Sequence, residues 1–254
     1  MNGGFFTAAS GILNQQRSLD LLSSNIANVT TAGYKGQVAV QSAFAEHMVS
    51  RLNENEALTK QNLGTLPYLA ANVEKHTDMK QGSLEVTNRP FDMGINGEGF
   101  FLVENSTYGQ AATRNGQFAL DEEGYLYLAG SGNVLNEGGS PIQLEDSRFT
   151  VDRAGIIYDS EGDEIDKLYI AKTPATFTRT ENDLYTLPDG ESFEQAESGE
   201  YQVIQGAIEK GNVDMAQEMS RVIAGQNNFN SCAQILKIYD KLNEITANQI
   251  GRLG

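Results

Sequence analysis

The sequence has one cysteine, Cys232, no tryptophan and two histidines, His47 and His76, in 254 residues. A lone thiol cannot close a disulfide within the chain, so stability must come from packing. Neither histidine has a cysteine or carboxylate at metal-ligand spacing, and both read as structural residues. Basic residues are also scarce. Eighteen Lys and Arg stand against 34 Asp and Glu, leaving a net charge of −16. That balance argues against a nucleic-acid partner, which needs clustered cations for its phosphates, and against an anionic membrane surface. No apolar run approaches a membrane-spanning length, so membrane insertion is not expected. No basic stretch leads into an apolar core and a small-residue cleavage site, so no cleaved secretory signal is visible.

Catalytic signatures are missing as well. There is no Gly-x-Ser-x-Gly elbow and no phosphate-binding Gly-x-x-x-x-Gly-Lys run. Asn96-Gly97-Glu98-Gly99 lies between two strand-like runs and reads as a turn. The acidic groups at 121–123 and 159–164 lack the alternating ligands of a calcium loop and read as solvated hairpin turns. Asp163 and Asp166 have too little context for a glycosidase pair, and Cys232 reads as a small buried hydrophobe. These readings predict no catalytic residue, no cofactor and no metal, and a protein that is not an enzyme.

What remains is a division by period. At 39% apolar and 20% charged the composition is that of an ordinary globular protein. Residues 2–29 and 213–253 carry apolar side chains at helical spacing, while the stretch between them alternates with Gly-rich turns, as strands do. In the first helix Phe5, Ile12, Leu19 and Ile26 fall seven apart, with Ala8, Leu22 and Val29 three positions later. This is a heptad seam in want of a helical partner, with Gln15 as its polar exception. Gly3, Gly4 and Gly11 each cost about 1 kcal/mol relative to Ala, so the helix is marginal alone. Thr30-Thr31-Ala32-Gly33 stops it, Gly33 being suited to a left-handed turn.

The second helix is expected to be capped by Asn212, with Asp214 and Glu218 in its first turn. Its stripe runs Met215, Met219, Val222, Gln226, Phe229, Ala233 and Leu236, then drifts to Ile238, Leu242, Ile245 and Gln249. If continuous it spans about 55 Å and outruns the first helix. Residues 36–81 read as an irregular arm, because Phe44, Met48, Leu52, Leu58, Leu63 and Leu66 are too loosely spaced for one element. From 82 onward, turn signals at 96–97, 121–124, 152–155 and 159–163 mark an all-β meander. The expected fold is α+β. Segments 1–35 and 207–254 pair as an antiparallel coiled-coil-like core, 36–81 forms an extended arm, and 82–206 forms a β-rich outer domain.

Residues 25–35, Asn-Ile-Ala-Asn-Val-Thr-Thr-Ala-Gly-Tyr-Lys, resemble the N-terminal signature of bacterial flagellar rod and hook proteins. Asn25, Ala27, Asn28, Thr31, Gly33, Tyr34 and Lys35 carry the likeness. At the other end 211–214, Glu218, Met219, Ile223, Gln226, Phe229 and Asp240 resemble that family's C-terminal helix. Between them, 81–84, 91–101 and 113–118 match the rod members. Asn227 departs from the arginine usual after Gln226. The chain has no room for the extra outer domain of hook proteins, which favours a rod subunit. The long arm leans towards the distal type, and Arg89-Pro90-Phe91-Asp92 towards the proximal type.

The resemblance implies a structural subunit that self-assembles into the hollow axial drive shaft carrying torque from motor to hook. It implies as partners other copies, other axial proteins and the flagellar export apparatus. It also implies export without a cleaved signal to the basal body, outside the cytoplasm. Phe5, Ile12, Leu19, Leu22, Ile26, Met219, Val222, Phe229 and Leu236 are then expected to form the assembly seam. The residues alone leave open an alternative, a secreted β-rich binding module or hydrolase whose helices merely close one domain.

Overall fold

The computed structural model describes the whole chain except residues 1, 52–60, 147, 174–175, 189, 198 and 251–254. For side chains alone, 2–4, 6, 41–51, 61–74, 181, 247 and 249–250 also lie outside the description. Leu52, Leu58 and the side chain of His47 therefore lie outside the described residues. The protein is α+β and divides into two compact units. One comprises residues 1–27, 37–77 and 214–254; the other comprises 28–36 and 78–213. The boundaries differ from the sequence expectation, since the arm shares a unit with the helices while 28–36 and 207–213 join the strands.

The first unit contains α1 (Asn2–Ala27), β1 (Gln37–Arg51), β2 (Gln61–Thr77) and α2 (Met215–Ile250). The helices run antiparallel. Asn25 bonds to Glu218, a Cβ on Gly225 would touch Leu19, and Gly11 faces the Cys232 thiol. Successive contacts on α2 are thus seven residues apart, and their partners descend along α1. Asp214 caps α2 by accepting hydrogen bonds from the N–H groups of Ala216 and Gln217 at 2.9 and 3.2 Å. Asn212 is not the cap, because its side chain is engaged elsewhere.

The reading of 36–81 as irregular is corrected. β1 and β2 form one antiparallel ribbon from Gln37↔Thr77 to Arg51↔Gln61. Its backbone groups satisfy each other whatever the side chains. Register shifts between Gln41 and Ala43 and between Met48 and Ser50 interrupt the alternation of two that would reveal a strand. An isolated two-stranded ribbon is marginal in water, and here α1 packs on it.

The second unit contains short strands. In order they are β3 (Leu84–Val86), β4 (Met93–Gly97), β5 (Phe100–Asn105), β6 (Gly109–Thr113), β7 (Phe118–Leu120), β8 (Leu126–Leu128) and β9 (Gly132–Val134). They continue as β10 (Thr150–Val151), β11 (Ile156–Tyr158), β12 (Glu164–Lys167), β13 (Ile170–Ala171), β14 (Thr178–Arg179), β15 (Tyr185–Thr186), β16 (Tyr201–Gln205) and β17 (Ala207–Glu209). The largest sheet runs β14-β15-β6-β5-β9-β8-β7, with β13 also on β5. Strand β5 is buried on both faces, as its unbroken apolar run requires. Phe101 and Val103 enter one core with Phe118, Leu126 and Ile170, while Phe100 and Leu102 enter another with Leu135 and Tyr185.

The expected hairpins β7–β8 and β10–β11 are present, and the expected turn at 159–163 joins β11 to β12, whereas the strand expected at 168–171 is β13 and pairs with β5 instead. Each of the three turns is built on an aspartate whose Oδ1 accepts backbone N–H groups: Asp121 from Glu123 and Tyr125, Asp152 from Ala154 and Ile156, Asp159 from Glu161, Gly162 and Asp163. The Asn96-Gly97 turn does not join β4 to β5. β4 pairs instead with β16, and β3 with β17, both ladders closing long loops.

Tyr185 is 1% exposed, with its ring edge-on to Phe100 and Phe177, and its hydroxyl has no hydrogen-bond partner among the described residues. Burial pushes the phenol above its ordinary value of 10.0. The unfolded chain therefore ionises first, so Tyr185 contributes stability that is present below about pH 10 and lost above it. Tyr185→Phe is expected to stay within about 1 kcal/mol of the parent at pH 7, or to gain, because it deletes an unsatisfied buried group. It should also flatten the alkaline loss. Denaturant titrations at neutral pH and near pH 11 check both, and a neutral-pH cost above about 2 kcal/mol would reveal a partner for the hydroxyl.

Candidate assembly site

The signature residues 25–35 divide between the two units. In the helical unit Asn25 is 3% exposed and acts as a backbone clamp. Its amide nitrogen donates to the Gln37 carbonyl at 2.8 Å, and its oxygen accepts the Gln37 N–H at 2.9 Å. The same nitrogen reaches Glu218 Oε2 at 3.3 Å, while Arg221 holds Glu218 Oε1 at 2.7 Å. Only an amide offers a donor and an acceptor in that arrangement. Asn25→Asp should therefore be worse than Asn25→Ala, because it sets a carboxylate against the Gln37 carbonyl and Glu218. Amide exchange at the base of the ribbon, accelerated about tenfold or more in the Asp variant, is the readout.

In the β unit, residues 28–36 are bound down residue by residue. Thr31 donates its N–H to the Asn28 carbonyl at 3.0 Å, and the Gly33 N–H donates to the Glu209 carbonyl at 2.7 Å. Tyr34 is 2% exposed, with the Arg179 guanidinium 4.5 Å above its ring. Arg179 also donates to the Lys35 carbonyl at 2.7 Å. Asn212 receives the Gly36 N–H on its side-chain oxygen at 2.7 Å and donates to the carbonyls of Asp78 and Lys80.

Beneath this lies a buried charge cluster. Lys35 Nζ is 2.7 Å from Glu209 Oε1 and 2.8 Å from the Lys80 carbonyl. Arg114 Nη1 is 3.0 Å from Glu209 Oε2, and its Nη2 donates to the Gly97 carbonyl at 2.8 Å. The Gly82 N–H adds a further bond to Glu209. One carboxylate thus holds two cations, all nearly inaccessible to water. Burial pulls both Lys35 and Arg114 below their ordinary values, with Glu209 opposing in each case.

The other signature residues are less engaged. Ala27 and Gln226 are exposed, and Thr31 is half-buried. Among the expected seam residues, Phe5, Ile12, Leu19, Leu22, Ile26, Val222, Phe229 and Leu236 are half-buried. Met219 is 50% exposed. The row of α2 that meets α1 runs one position earlier, through Glu218, Gly225 and Cys232, which let the helices approach closely. On α1 the most buried positions are Ala8, Asn14, Leu21 and Asn25.

Sequence reasoning missed Glu209, Arg179 and Gln37. A signal for Glu209 existed, since it alternates with Ala207 on the inward face of β17. Among the described residues no group of His, Cys, Asp and Glu could hold a metal, and no helix is long and apolar enough to cross a membrane.

The carboxyl hub thus holds residues 28–36 down within the β unit, and the helical unit is built on an antiparallel helix pair. Three family models match in order along the chain: "Flagella basal body rod protein" at 5–35, "Flagellar hook protein FlgE/F/G D1 domain" at 94–159, and "Flagellar basal body rod FlgEFG protein C-terminal" at 204–250. The chain belongs to this family as a flagellar basal-body rod protein, a structural subunit and not an enzyme.

Similar proteins include the flagellar hook-basal body complex protein FlhO of Bacillus subtilis, 26% identical over 98% of this chain and 99% of that protein. The flagellar basal-body rod protein FlgF of Caulobacter vibrioides is 26% identical over 100% and 99%, and FlgG of Borreliella burgdorferi is 27% identical over 98% of each. None of this supports the alternative of a secreted binding module or hydrolase.

Proposed function

We propose that copies of this chain assemble through their helical unit into the hollow rod that carries torque from motor to hook. In this reading α1 and α2 pair as an antiparallel coiled coil lining the tube, the β unit faces outward, and the ribbon lies against a neighbouring subunit. The observation that carries it is the apolar surface left on α2. Met215, Met219, Ile223, Ile238, Leu242 and Ile245 are each 43–64% exposed, at spacings of three and four residues within each run. Ridges of that kind pack into grooves of another helix. Asn25 and the expected seam serve to hold α2 in the geometry that presents this surface.

The remaining partners are other axial proteins and the flagellar export apparatus. The site of action is the basal body outside the cytoplasm, reached without a cleaved signal. The glycines of α1 support passage as an unfolded chain, because a helix that is marginal alone orders on assembly. Leu19→Asp is expected to abolish rod assembly and motility while leaving the β unit folded. The measurement pairs swimming and basal-body micrographs with proteolysis of purified protein. Motile cells bearing this change would remove Leu19 from the seam.

A further inference from the structure

Charge is divided between the units far more unevenly than length. The helical unit carries 9 acidic and 8 basic residues, a net charge of −1, whereas the β unit carries 25 acidic and 10 basic, a net charge of −15. Nearly all of the chain's net negative charge thus sits on one unit. The exposed apolar rows sit on the other, at Met215, Met219, Ile223, Ile238, Leu242 and Ile245. Exposed acidic side chains include Glu122, Glu123 and Glu161 on turns, Glu164 at the start of β12 and Glu197 on a loop. Glu122, Glu123 and Glu161 line an open acidic cleft with Asp121, Glu145, Asp146 and Asp159, while Glu164 and Glu197 lie outside it. Among the described residues no such group could hold a metal, so the charge acts as a field rather than as a site.

We infer that the β unit is an electrostatic brake on self-association, so that assembly through the neutral helical unit is gated by ionic strength. This rests on the reading of the chain as a self-assembling subunit. Two copies approach with adhesive surfaces that carry almost no net charge and bodies that repel one another. The repulsion reaches about 30 Å in about 0.01 M salt and about 8 Å in about 0.15 M salt. In dilute electrolyte the repulsion between β units therefore acts at long range; at higher ionic strength it acts only at short range. The sign is diagnostic, because contacts made by ion pairs weaken with salt whereas a brake of like charge is released by it.

The test uses the full chain, with sedimentation velocity or light scattering from about 0.01 to 0.3 M sodium chloride. The concentration at which oligomers appear is expected to fall about tenfold or more across that range. A variant carrying Glu122→Gln, Glu123→Gln, Glu161→Gln, Glu164→Gln and Glu197→Gln should reach the same state at lower salt, with unchanged circular dichroism. Calcium at matched ionic strength should act no better than sodium. A salt-independent threshold, a threshold that rises with salt, or a variant curve superimposing on the parent would each overturn the brake. Calcium acting at far lower ionic strength would overturn it too, by assigning the effect to a bound cation. Failure to associate at any ionic strength would reject the self-assembly reading itself, and the brake with it.

Discussion

Glu209→Gln is expected to cost the β unit about 3–5 kcal/mol, a fall in melting temperature on the order of 10 °C, while Lys35→Met costs under about 2 kcal/mol. The asymmetry follows from the charge count. Glu209 is the single carboxylate that Lys35 and Arg114 share, at 2.7 and 3.0 Å. Making it neutral leaves two buried cations facing each other without a counter-charge. Making Lys35 apolar leaves Glu209 balanced by Arg114, and the Lys80 carbonyl still accepts from Asn212 at 3.0 Å.

The pH dependence carries the same logic. Burial holds Lys35 below its ordinary value of 10.5, so between that lowered value and 10.5 the unfolded chain binds more protons than the folded one. Stability from this group therefore rises with pH through that window and is not lost there. Glu209→Gln should regain part of its deficit as pH approaches 10, and the double variant with Lys35→Met should not. Denaturant titrations at neutral and mildly alkaline pH decide the matter. Equal losses for the two single variants would mean that the pair acts as a packing unit and not as a charge hub.

Gly33→Ala is the second large effect, with an expected loss above about 3 kcal/mol. Gly33 has a φ of +69°, and an added Cβ would lie 2.3 Å from the Arg114 carbonyl carbon and 2.4 Å from the Asn115 nitrogen. Those atoms are backbone inside the β unit, so the segment 28–36 must lift instead. Lifting breaks the 2.7 Å bond from the Gly33 N–H to Glu209 and withdraws Tyr34 and Lys35 from their places. Gly162→Ala is the control, since Gly162 has a φ of +92° with nothing within 4 Å of an added Cβ. It should show the conformational cost alone, about 1 kcal/mol. If the two variants melt alike, close approach to Arg114 contributes nothing.

The signature was therefore readable as residue types well before its mechanics were. Gly33 as a left-handed turn residue needed only its φ preference, although α1 itself already ends at Ala27 and not at 30–33, and the Asp-x-x-Gly hairpins needed only a short side chain bonding its own turn. The buried strand at Phe100-Phe101-Leu102-Val103 needed only an unbroken apolar run. Each is a local interaction among residues close in sequence. Glu218 and Gly225 escaped as seam positions because a charged and a small residue do not register as an apolar seam. The ribbon escaped because its bulges break the alternation.

By itself the sequence determined two terminal helices, a strand-rich middle, the turn chemistry, an acidic balance and a family signature. All of these depend on backbone preference, side-chain period or composition, which act over a few residues or over the whole chain at once. Only the tertiary structure decided that β4 pairs with β16 and β3 with β17, and that Glu209 gathers Lys35 and Arg114. It also decided that Asn25 clamps Gln37, and that the excess charge falls on one compact unit. Those outcomes join residues far apart in sequence. Which of them meet is settled by packing and by the need to satisfy buried polar groups, not by any local preference of the residues themselves.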